Sequence, residues 1–298
     1  MEQLPIRTDS NPKVVCILLN WNGWRDTIEC LNSLKECTYP NLTVIVVDNG
    51  STDDSVSRIR ASHSGILLFE SGKNIGFAGG NNIGIRYALA GGAEYLWLLN
   101  NDAKPAPDTL SELVAKARSD HGLGAVASVC YFAHAPTTVQ AWAGGRVNLW
   151  IGYGRNCTEP HEDSWFHALY GASMLIASEA IEDVGLLDEG FFLYWEETDF
   201  CLRLRKNGWR LAAAPASRVL HKVNASTGGN KLVLERYFTA SGLRILRLHS
   251  PAPYLAMVIF SAIRFVRPLL RLQISLWRSV WEGILDYRRM LPVVPKIL

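Results

Sequence analysis

The stretch from Leu96 to Asp102 carries residues whose types and position suit chemistry. Its apolar run ends in Asn100, Asn101 and Asp102, and prolines close behind it predict an end to regular structure. A buried strand that ends in an acidic residue brings a carboxylate to the carboxyl edge of a sheet, where ligands bind in open α/β folds. The competing interpretation is a strand end followed by an ordinary Asn/Asp turn.

A second acidic cluster, made of Glu196, Glu197 and Asp199, opens a predicted helix. A carboxylate can take a proton from a hydroxyl group that lies within hydrogen-bond reach. Because three such side chains at a helix start point in different directions, we expect only one of them to face a substrate. The alternative is an acidic first turn that complements the helix dipole.

Apolar runs typical of buried strands precede these clusters and several other polar turns. The predicted strands cover residues 13–19, 42–47, 66–69, 96–102, 125–131, 171–177, 209–215 and 219–222. Helical spacing predicts helices over 27–35, 83–90, 179–185, from 196 onward and over 232–248, and residues 132–165 are interpreted as a hairpin or irregular insertion. Three strand–turn–helix units before the 96–102 strand predict a mostly parallel sheet with right-handed crossovers.

The composition is that of a globular protein, since 48% of the 298 residues are hydrophobic and 19% are charged. The net charge of +2 is unevenly distributed: residues 251–298 carry +5 and the first 250 residues carry −3. The chain has no basic stripe for a nucleic-acid backbone, so we expect no nucleic-acid partner. A basic, apolar and aromatic tail instead favours an anionic membrane surface.

The six cysteines lack CxxC spacing, which argues against zinc and against a disulfide framework. Residues 1–12 are polar and contain no apolar segment of the secretory type. These two features predict a reducing, cytoplasmic location.

The tail from residue 250 to 298 is predicted to form amphipathic helices. Its apolar stretch Tyr254–Phe265 is 12 residues long, which is shorter than the ~20 residues needed to span a bilayer. Arginines interleaved with leucines and tryptophans predict a helix pair lying in the membrane interface on the inner face of the cytoplasmic membrane. The alternatives are a helical hairpin packed on the main domain or a homodimer contact.

The polar clusters also carry a family pattern. The chain resembles the inverting family-2 glycosyltransferases with the GT-A fold, most closely the rhamnosyltransferase-like bacterial members. The resemblance covers roughly residues 13–245 and rests on the order and spacing of the segments 19–22 (LNWN), 46–53 (VVDNGSTD), 74–82 (NIGFAGGNN), 99–102 (LNND) and 194–203 (YWEETDFCLR), together with His221.

The resemblance implies a GT-A fold, which is Rossmann-like with a mostly parallel central sheet flanked by helices. We expect a flexible N-terminus over 1–12 and a glycosyltransferase domain over 13–249. Within this domain, residues 13–102 form the nucleotide-binding half and residues 103–249 the acceptor and catalytic half. Residues 250–298 form the helical, membrane-interfacial extension.

The resemblance also implies a nucleotide-sugar site. Asp48 is expected to accept a hydrogen bond from a pyrimidine N3–H, with further donor-binding positions at Asn20, Asn22, Asp53, Lys73, Asn74, Gly80, Asn82, Asn100 and Asn101. The alternatives are that Asp48 and Asp53 cap the following helix and that the glycines serve packing. A dinucleotide site is excluded because no GxGxxG follows the first strand.

Residues 100–102 correspond to the family's metal-binding Asp-x-Asp motif, but Asn100 stands at the first position. Asp102 is therefore expected to hold Mg²⁺ or Mn²⁺ with one carboxylate, weakly in the absence of nucleotide, while Asn100 offers a neutral oxygen. In related enzymes a later histidine completes the metal shell, and His221 stands where it should. The alternative for His221 is a hydrogen bond to the backbone.

The family's base maps onto Glu197, and Glu196 and Asp199 are expected to orient the helix start or Arg203. The implied reaction moves a sugar, best L-rhamnose from dTDP-rhamnose and otherwise a UDP-sugar, onto a glycan or polyprenyl-diphosphate-linked acceptor in cell-surface polysaccharide synthesis. Asn100 also favours an alternative, a non-catalytic nucleotide-sugar-binding scaffold protein. A hydrolase or nucleotidyltransferase would need a further metal carboxylate.

Overall fold

A computed structural model describes residues 11–222 and 230–289, so residues 1–10 and 290–298 of the two predicted terminal segments lie outside the described part. The first half alternates strands and helices, as predicted. Its elements are β1 (Val14–Asn20), α1 (Trp24–Lys35), β2 (Leu42–Asp48), α2 (Ser55–Ser62), β3 (Leu67–Glu70), α3 (Gly76–Ala90) and β4 (Tyr95–Asn100).

The second half contains more strands than helices. Its elements are β5 (Ala103–Pro105), α4 (Thr109–Arg118), β6 (Leu123–Phe132), β7 (Ala135–Trp142), β8 (Gly144–Asn148), β9 (Tyr153–Asn156), β10 (Ala168–Leu169), β11 (Ser173–Ala177), α5 (Ser178–Val184), α6 (Glu196–Lys206) and β12 (Arg210–His221). Three helices follow: α7 (Lys231–His249), α8 (Pro253–Leu270) and α9 (Ile274–Arg289).

The central sheet is mixed, with the order β3-β2-β1-β4-β11-β6-β12-β5 and β7 beside β6. The four strands of the first half are parallel, whereas β11 is antiparallel to both β4 and β6. The predicted mostly parallel sheet is therefore correct for the first half only. The reason is the segment between β6 and β11, which contains hairpins instead of the helix that a parallel crossover requires.

Two sequence expectations in this half are wrong. The predicted strands 209–215 and 219–222 form one strand, β12, with a register shift between Ala214 and Arg218. The prolines after Asp102 do not end strand structure, because Pro105 pairs with Val219 in β5. Pro105 lies in the edge strand β5 and Pro215 lies at the bulge of β12, which are two places where proline is usual in sheets. The predicted hairpin within 132–165 is confirmed by β8 and β9.

The sheet is buried on both faces, which explains the continuous apolar runs of its strands. Alternate residues of one strand point to opposite faces. In β1, Ile17 belongs to the core on the α3 side, whereas Cys16 and Leu18 belong to the core on the α1 side. Because each strand is held between two helical layers, its carboxyl end is fixed and the polar turns that follow it are held in place.

The tail helices pack on α7. Ala256 and Phe260 of α8 are buried in one cluster with Phe191, Trp195 and Leu246, so the predicted alternative of a hairpin packed on the main domain describes this inner side. The outer side of α8 is apolar and exposed, with Val258 at 66% and Leu269 at 61% exposure. The helix α8 is 18 residues long, because it continues past the arginines that follow its apolar stretch. By length and composition alone, it could therefore cross a membrane.

Candidate active site

A cavity of about 700 Å³ opens where β4, α6 and β12 meet. Its wall combines polar residues with aromatic residues from the segment before α6 and from α7. The predicted site residues that line it are Asn74, Asn100, Asn101, Asp102, Glu196, Glu197 and His221. The fold therefore brings together clusters that lie far apart in the chain.

The residues predicted to bind the nucleotide base do not line this cavity. Asp48 is 2% exposed, and its carboxylate accepts hydrogen bonds from Asn20 Nδ2 at 2.7 Å and from Ser51 Oγ and N at 2.7 and 2.9 Å. Asn22 Oδ1 accepts from the N–H of Thr52 at 2.8 Å. In the structure these side chains hold the turn after β2 to the turn after β1.

Asp53 and Lys73 stand at the edges of the same turns. Asp53 Oδ1 accepts from the N–H of Ser55 at 3.0 Å, at the start of α2, whose N-cap residue is Asp54. The backbone of Lys73 passes against Gly50, where an added Cβ would lie 2.3 Å from the Lys73 carbonyl carbon. Gly50 has a φ of 71°, so both its conformation and its surroundings require glycine.

Asn49 connects the turn after β2 to the cavity wall. Its side chain is buried, and its Nδ2 donates to Asn74 Oδ1 at 3.1 Å and to the Gly76 carbonyl at 3.0 Å. Its Oδ1 accepts from the N–H of Ile75 at 3.1 Å. Gly76 has a φ of 81°, and a Cβ there would lie 2.6 Å from the carbonyl oxygen of Phe192. This close approach joins the two halves of the domain.

Gly80 and Asn82, for which a donor-binding role is predicted, lie outside the cavity. A Cβ on Gly80 would lie 2.4 Å from Leu19 Cδ1, so the glycine lets α3 pack closely on β1. Asn82 is fully buried, donates to the carbonyl of Leu187 at 2.9 Å and accepts from its N–H at 3.1 Å. Their contacts match the packing alternative.

The end of β12 meets the end of β4 through His221. Its Nε2 lies 3.1 Å from Asp102 Oδ1 and 3.3 Å from Asn100 Nδ2. Its Nδ1 faces Gln140 Oε1 at 3.0 Å. Because that amide oxygen accepts only, it favours the tautomer with the proton on Nδ1, which turns the Nε2 lone pair toward the Asp102 carboxylate.

This pair fits a divalent cation. Two adjacent ligands of an octahedral Mg²⁺, each about 2.1 Å from the ion, lie about 3 Å apart, which matches the spacing of His221 and Asp102. Within residues 11–222 and 230–289 no group of three His, Cys, Asp or Glu side chains could hold a metal. The further ligands would have to be amide oxygens, water or substrate phosphates, as is usual for Mg²⁺.

The backbone is strained where α6 begins. Tyr194 and Trp195 have φ values of 70° and 73°, and left-handed backbone at non-glycine residues costs about 1–3 kcal/mol each. The helix then starts with Glu196 and Glu197 on the cavity wall. Both keep one carboxylate oxygen, Oε2, buried with no hydrogen-bond partner. Strain and unpaired buried acceptors together are typical of a functional site.

The two neighbouring glutamates differ in acidity. Burial and the charge of Glu197 raise the pKa of Glu196 well above its ordinary value. Burial also raises the pKa of Glu197. Two adjacent buried carboxylates cannot easily ionise together, so the pair keeps one proton to a higher pH than a single exposed glutamate would.

Asp199 has a different environment and does not line the cavity. It is 1% exposed, accepts from Arg203 Nε at 2.8 Å and lies 2.7 Å from His249 Nε2. Burial alone would raise its pKa, but the hydrogen bond to His249 and the charge of Arg203 outweigh burial and lower the pKa of Asp199. It is a fixed anion that ties α6 to α7, which agrees with the predicted contact to Arg203.

A second cavity of about 210 Å³ lies on the other side of Glu197, between α6 and the β8–β9 hairpin. Glu197 lines both cavities, whereas Glu196 lines only the larger one. Trp195 lines the smaller cavity, and its buried indole N–H has no hydrogen-bond partner. Glu197 is thus positioned between two spaces that small molecules could enter.

The family assignment follows from two profile matches. The profile described as glycosyl transferase family 2 matches residues 15–165, and that of glycosyl transferase family group 2 matches residues 95–285. The first match alone spans half of the chain. The chain belongs to glycosyl transferase family 2.

Curated relatives of this family-2 glycosyltransferase are themselves sugar transferases. A low-salt glycan biosynthesis hexosyltransferase, Agl10 of Haloferax volcanii, is 30% identical over 59% of the chain and 58% of its own length. An N-acetylglucosaminyl-diphospho-decaprenol L-rhamnosyltransferase of Mycobacterium tuberculosis is 28% identical over 66% of the chain and 72% of its own length. The chain therefore matches little more than half of the archaeal relative.

The fold of this family-2 glycosyltransferase is GT-A, as predicted. The mannosyltransferase PcManGT of Pyrobaculum calidifontis, solved with GDP-Man and Mn²⁺, superposes with a TM-score of 0.60 at 19% identity over 96% of the chain and 77% of its own. The comparisons thus agree on the family and on the fold.

Several residues of the cavity wall escaped the sequence prediction. Tyr170, Tyr237 and the wall formed by α7 have no motif around them, because they reach the cavity only through tertiary packing. Asn49 is the exception. It stands within the segment 46–53 that carries the family resemblance, directly after Asp48, and its position at a strand end was a usable signal.

Proposed function

We propose that this family-2 enzyme inverts the anomeric centre of its donor sugar and that Glu197 is the general base. The observation that carries the proposal is the position of Glu197 between the two cavities, with a buried, unpartnered carboxylate oxygen. The larger cavity has the polar wall and the volume for a nucleotide sugar, and the smaller one can admit the acceptor.

The reaction is a single in-line displacement. The acceptor hydroxyl oxygen attacks the anomeric carbon of the donor from the face opposite the diphosphate, and Glu197 takes the hydroxyl proton. The bond between the anomeric carbon and the phosphate oxygen breaks, and the nucleoside diphosphate leaves with the electron pair. Glu196 stays protonated, so that Glu197 can be ionised at the start of the reaction.

Asp102 and His221 would hold a divalent metal, Mg²⁺ or Mn²⁺, against the donor diphosphate. When bound, such an ion offsets the negative charge that develops on the leaving group. Asn100 and Asn101 supply amide groups on the same wall. This role is supported by the spacing of the two ligands and by the Mn²⁺ in the mannosyltransferase structure.

The donor is proposed to be dTDP-rhamnose, with a UDP-sugar as the alternative, and the acceptor a glycan or a polyprenyl-diphosphate-linked sugar. The rhamnosyltransferase relative, whose name contains a diphospho-decaprenol acceptor, supports this choice. The exposed apolar side of α8 supports attachment to the inner face of the cytoplasmic membrane.

A thermal-shift screen of dTDP-rhamnose, UDP-sugars and GDP-mannose, each with Mg²⁺ or Mn²⁺, tests the donor site. We expect the largest stabilisation from dTDP-rhamnose with metal. Product from the best donor is then analysed by NMR for the configuration of the new bond. A retained configuration would contradict the in-line mechanism, and stabilisation by no nucleotide sugar would contradict the proposed function.

A further inference from the structure

Two arginines face each other across the hairpin beside the smaller cavity. Arg146 of β8 and Arg155 of β9 are register partners in an antiparallel pair, and both line the cavity. Directly opposite residues in such a pair project from the same face of the sheet. Like charges at this spacing repel each other and destabilise the hairpin.

No carboxylate compensates this pair in the described part of the chain. Arg155 has no ion pair there, and the contacts of Arg146 are His167 Nε2 at 3.5 Å and the ring of Trp165. A third arginine lies near this pair, because the charge of Arg205 acts with burial and the charge of Arg146 to lower the pKa of His167. An anionic ligand between the two arginines would relieve the repulsion.

The remaining wall of this cavity suits a sugar next to such an anion. Trp195 offers a buried indole N–H without a partner, and Glu197 offers an unpartnered carboxylate oxygen. A buried donor and a buried acceptor without partners each cost free energy until a ligand satisfies them. Sugar hydroxyls can do both, since each one donates and accepts hydrogen bonds.

The hairpin also leads from this cavity to the apolar surface of α8. Its tip packs on α8 at Gly152, where an added Cβ would lie 2.6 Å from Phe260. Trp150 and Tyr153 at the tip are 49% and 57% exposed, as is common for aromatic residues at a membrane interface. Tyr153 precedes Arg155 by two residues, about 7 Å along a strand.

We infer that Arg146 and Arg155 bind the diphosphate of a lipid-linked sugar acceptor. The acceptor's sugar then occupies the smaller cavity, with a hydroxyl at Glu197, and its hydrocarbon chain leaves past the hairpin tip toward α8. The inference rests on the proposed transferase function. It adds that these two arginines select an acceptor that carries a diphosphate. Two arginine side chains match the charge and the forked geometry of a diphosphate.

Isothermal titration calorimetry with two matched probes tests the inference. One probe is N-acetylglucosaminyl diphosphate on a short isoprenoid chain, and the other is the same sugar on the same chain without phosphate. We expect the charged probe to bind the wild-type protein at least about tenfold more tightly. Arg146→Gln and Arg155→Gln should each weaken it by about 10-fold to 100-fold and leave the neutral probe unchanged.

Arg205→Gln is the matched control, because it removes one charge near His167 from a residue that does not line the cavity. We expect it to bind both probes as the wild type does. Equal binding of the two probes by the wild type, or a preserved preference in the double variant R146Q/R155Q, would overturn the inference. Inorganic pyrophosphate serves as a third probe. If it binds as tightly as the charged glycolipid, the arginine pair is a site for free phosphates and the inference is wrong.

Donor binding separates this inference from the proposed function. The R146Q/R155Q variant should show the same thermal shift with dTDP-rhamnose as the wild type, since the arginines lie outside the larger cavity. If no nucleotide sugar stabilises the wild-type protein, the proposed function fails, whereas the calorimetric comparison of the two glycolipids still decides on the arginine pair.

Discussion

Nε2 of His221 lies 3.1 Å from Oδ1 of Asp102, at the point where the end of β12 pairs with the start of β5. Both side chains are about 95% buried. In the tautomer that donates from Nδ1 to Gln140 Oε1, Nε2 and Oδ1 are both free to bind one cation. A divalent cation bound at this pair would be held by Asp102 and His221 on one side and by the substrate on the other.

Asn100→Asp should strengthen metal binding in the absence of nucleotide. The amide of Asn100 lies 3.3 Å from His221 Nε2, so a carboxylate there would add a charged ligand beside Asp102. We expect Mn²⁺ to bind at least about tenfold more tightly by calorimetry, because affinity for hard cations rises with the number of charged ligands.

Asn101→Asp is the matched control, since its side chain donates to Thr27 at 2.9 Å instead of facing His221. Asp102→Asn should abolish the Mn²⁺ dependence of dTDP-rhamnose binding. Unchanged Mn²⁺ affinity in N100D, together with unchanged metal dependence in D102N, would place the ion elsewhere.

Glu197→Gln should remove turnover and leave the fold and donor binding intact. The substitution keeps the shape of the side chain but removes the proton acceptor, and loss of a general base costs about 10²–10⁴-fold in kcat. Transfer is measured by release of nucleoside diphosphate in the presence of acceptor.

Glu182→Gln provides the surface control, because Glu182 is exposed on α5. It should transfer sugar at the wild-type rate. Near-normal transfer by E197Q would move the base role to Glu196, whereas loss of the dTDP-rhamnose thermal shift in E197Q would show that the variant had lost the donor site itself.

Glu196→Gln should stabilise the protein at high pH. Burial and the charge of Glu197 raise the pKa of Glu196 in the folded state. A carboxyl group with a raised folded pKa loses stability as the pH rises through that value, because ionisation is then easier in the unfolded chain. A glutamine is neutral at every pH and avoids this loss.

Chemical denaturation measures this effect. The free energy of unfolding of E196Q should exceed that of the wild type at pH 9, and the difference should shrink toward pH 5. The same variant should begin to turn over at the same pH as the wild type, because Glu197 ionises beside a neutral side chain in both proteins. A stability difference independent of pH would contradict the assignment of the proton to Glu196.

The positions of these clusters were predictable because each lies at the end or start of a strongly patterned element. Asp102 follows a buried strand and Glu197 opens an amphipathic helix, so pattern and family resemblance together indicate both. What the pattern does not contain is the distance between elements. The contact of His221 with Asp102 depends on β12 continuing across a bulge, which two separate apolar runs did not reveal.

Residue type alone does not assign the roles predicted for the donor-site residues. Polar residues at strand ends have two uses, ligand contact and support of the turns, and residue type does not distinguish them. Asn82 and Asp53 satisfy backbone groups, whereas Asn74 reaches the cavity through Asn49. The smaller cavity was not predictable, because β8 and β9 are short and partly exposed and carry no motif.

Arg244→Gln should destabilise the protein by about 3–5 kcal/mol, because it leaves the buried Asp188 without its charged partner. Arg244 and Asp188 form a pair at 2.6 Å between α7 and the segment before α6. Burial raises the pKa of Asp188 even with this partner, so the loss should grow as the pH rises. Chemical denaturation of the variant measures it.

The double variant R244Q/D188N should recover part of this stability, since it removes the unpaired charge. Arg205→Gln replaces an exposed arginine that has no ion pair with any described residue, and it should stay within about 0.5 kcal/mol of the wild type. If R244Q were no less stable than R205Q, the pair would not contribute to holding α7 on the catalytic domain.

Val258→Glu with Leu269→Glu should release the protein from anionic membranes. Both side chains are more than half exposed on α8, so two carboxylates there oppose both apolar insertion and the negative lipid surface. Deletion of the tail is a poorer test, because Ala256 and Phe260 belong to the core formed with α7. Sedimentation with phosphatidylglycerol vesicles measures binding.

The matched control is Ser62→Glu with Leu67→Glu, which adds the same two negative charges on exposed residues of α2 and β3 away from the tail. It should sediment with the vesicles as the wild type does. Size-exclusion chromatography of both variants separates membrane attachment from the homodimer alternative. A wild-type dimer that V258E/L269E converts to a monomer, with vesicle binding unchanged, would assign the exposed side of α8 to a second copy of the chain.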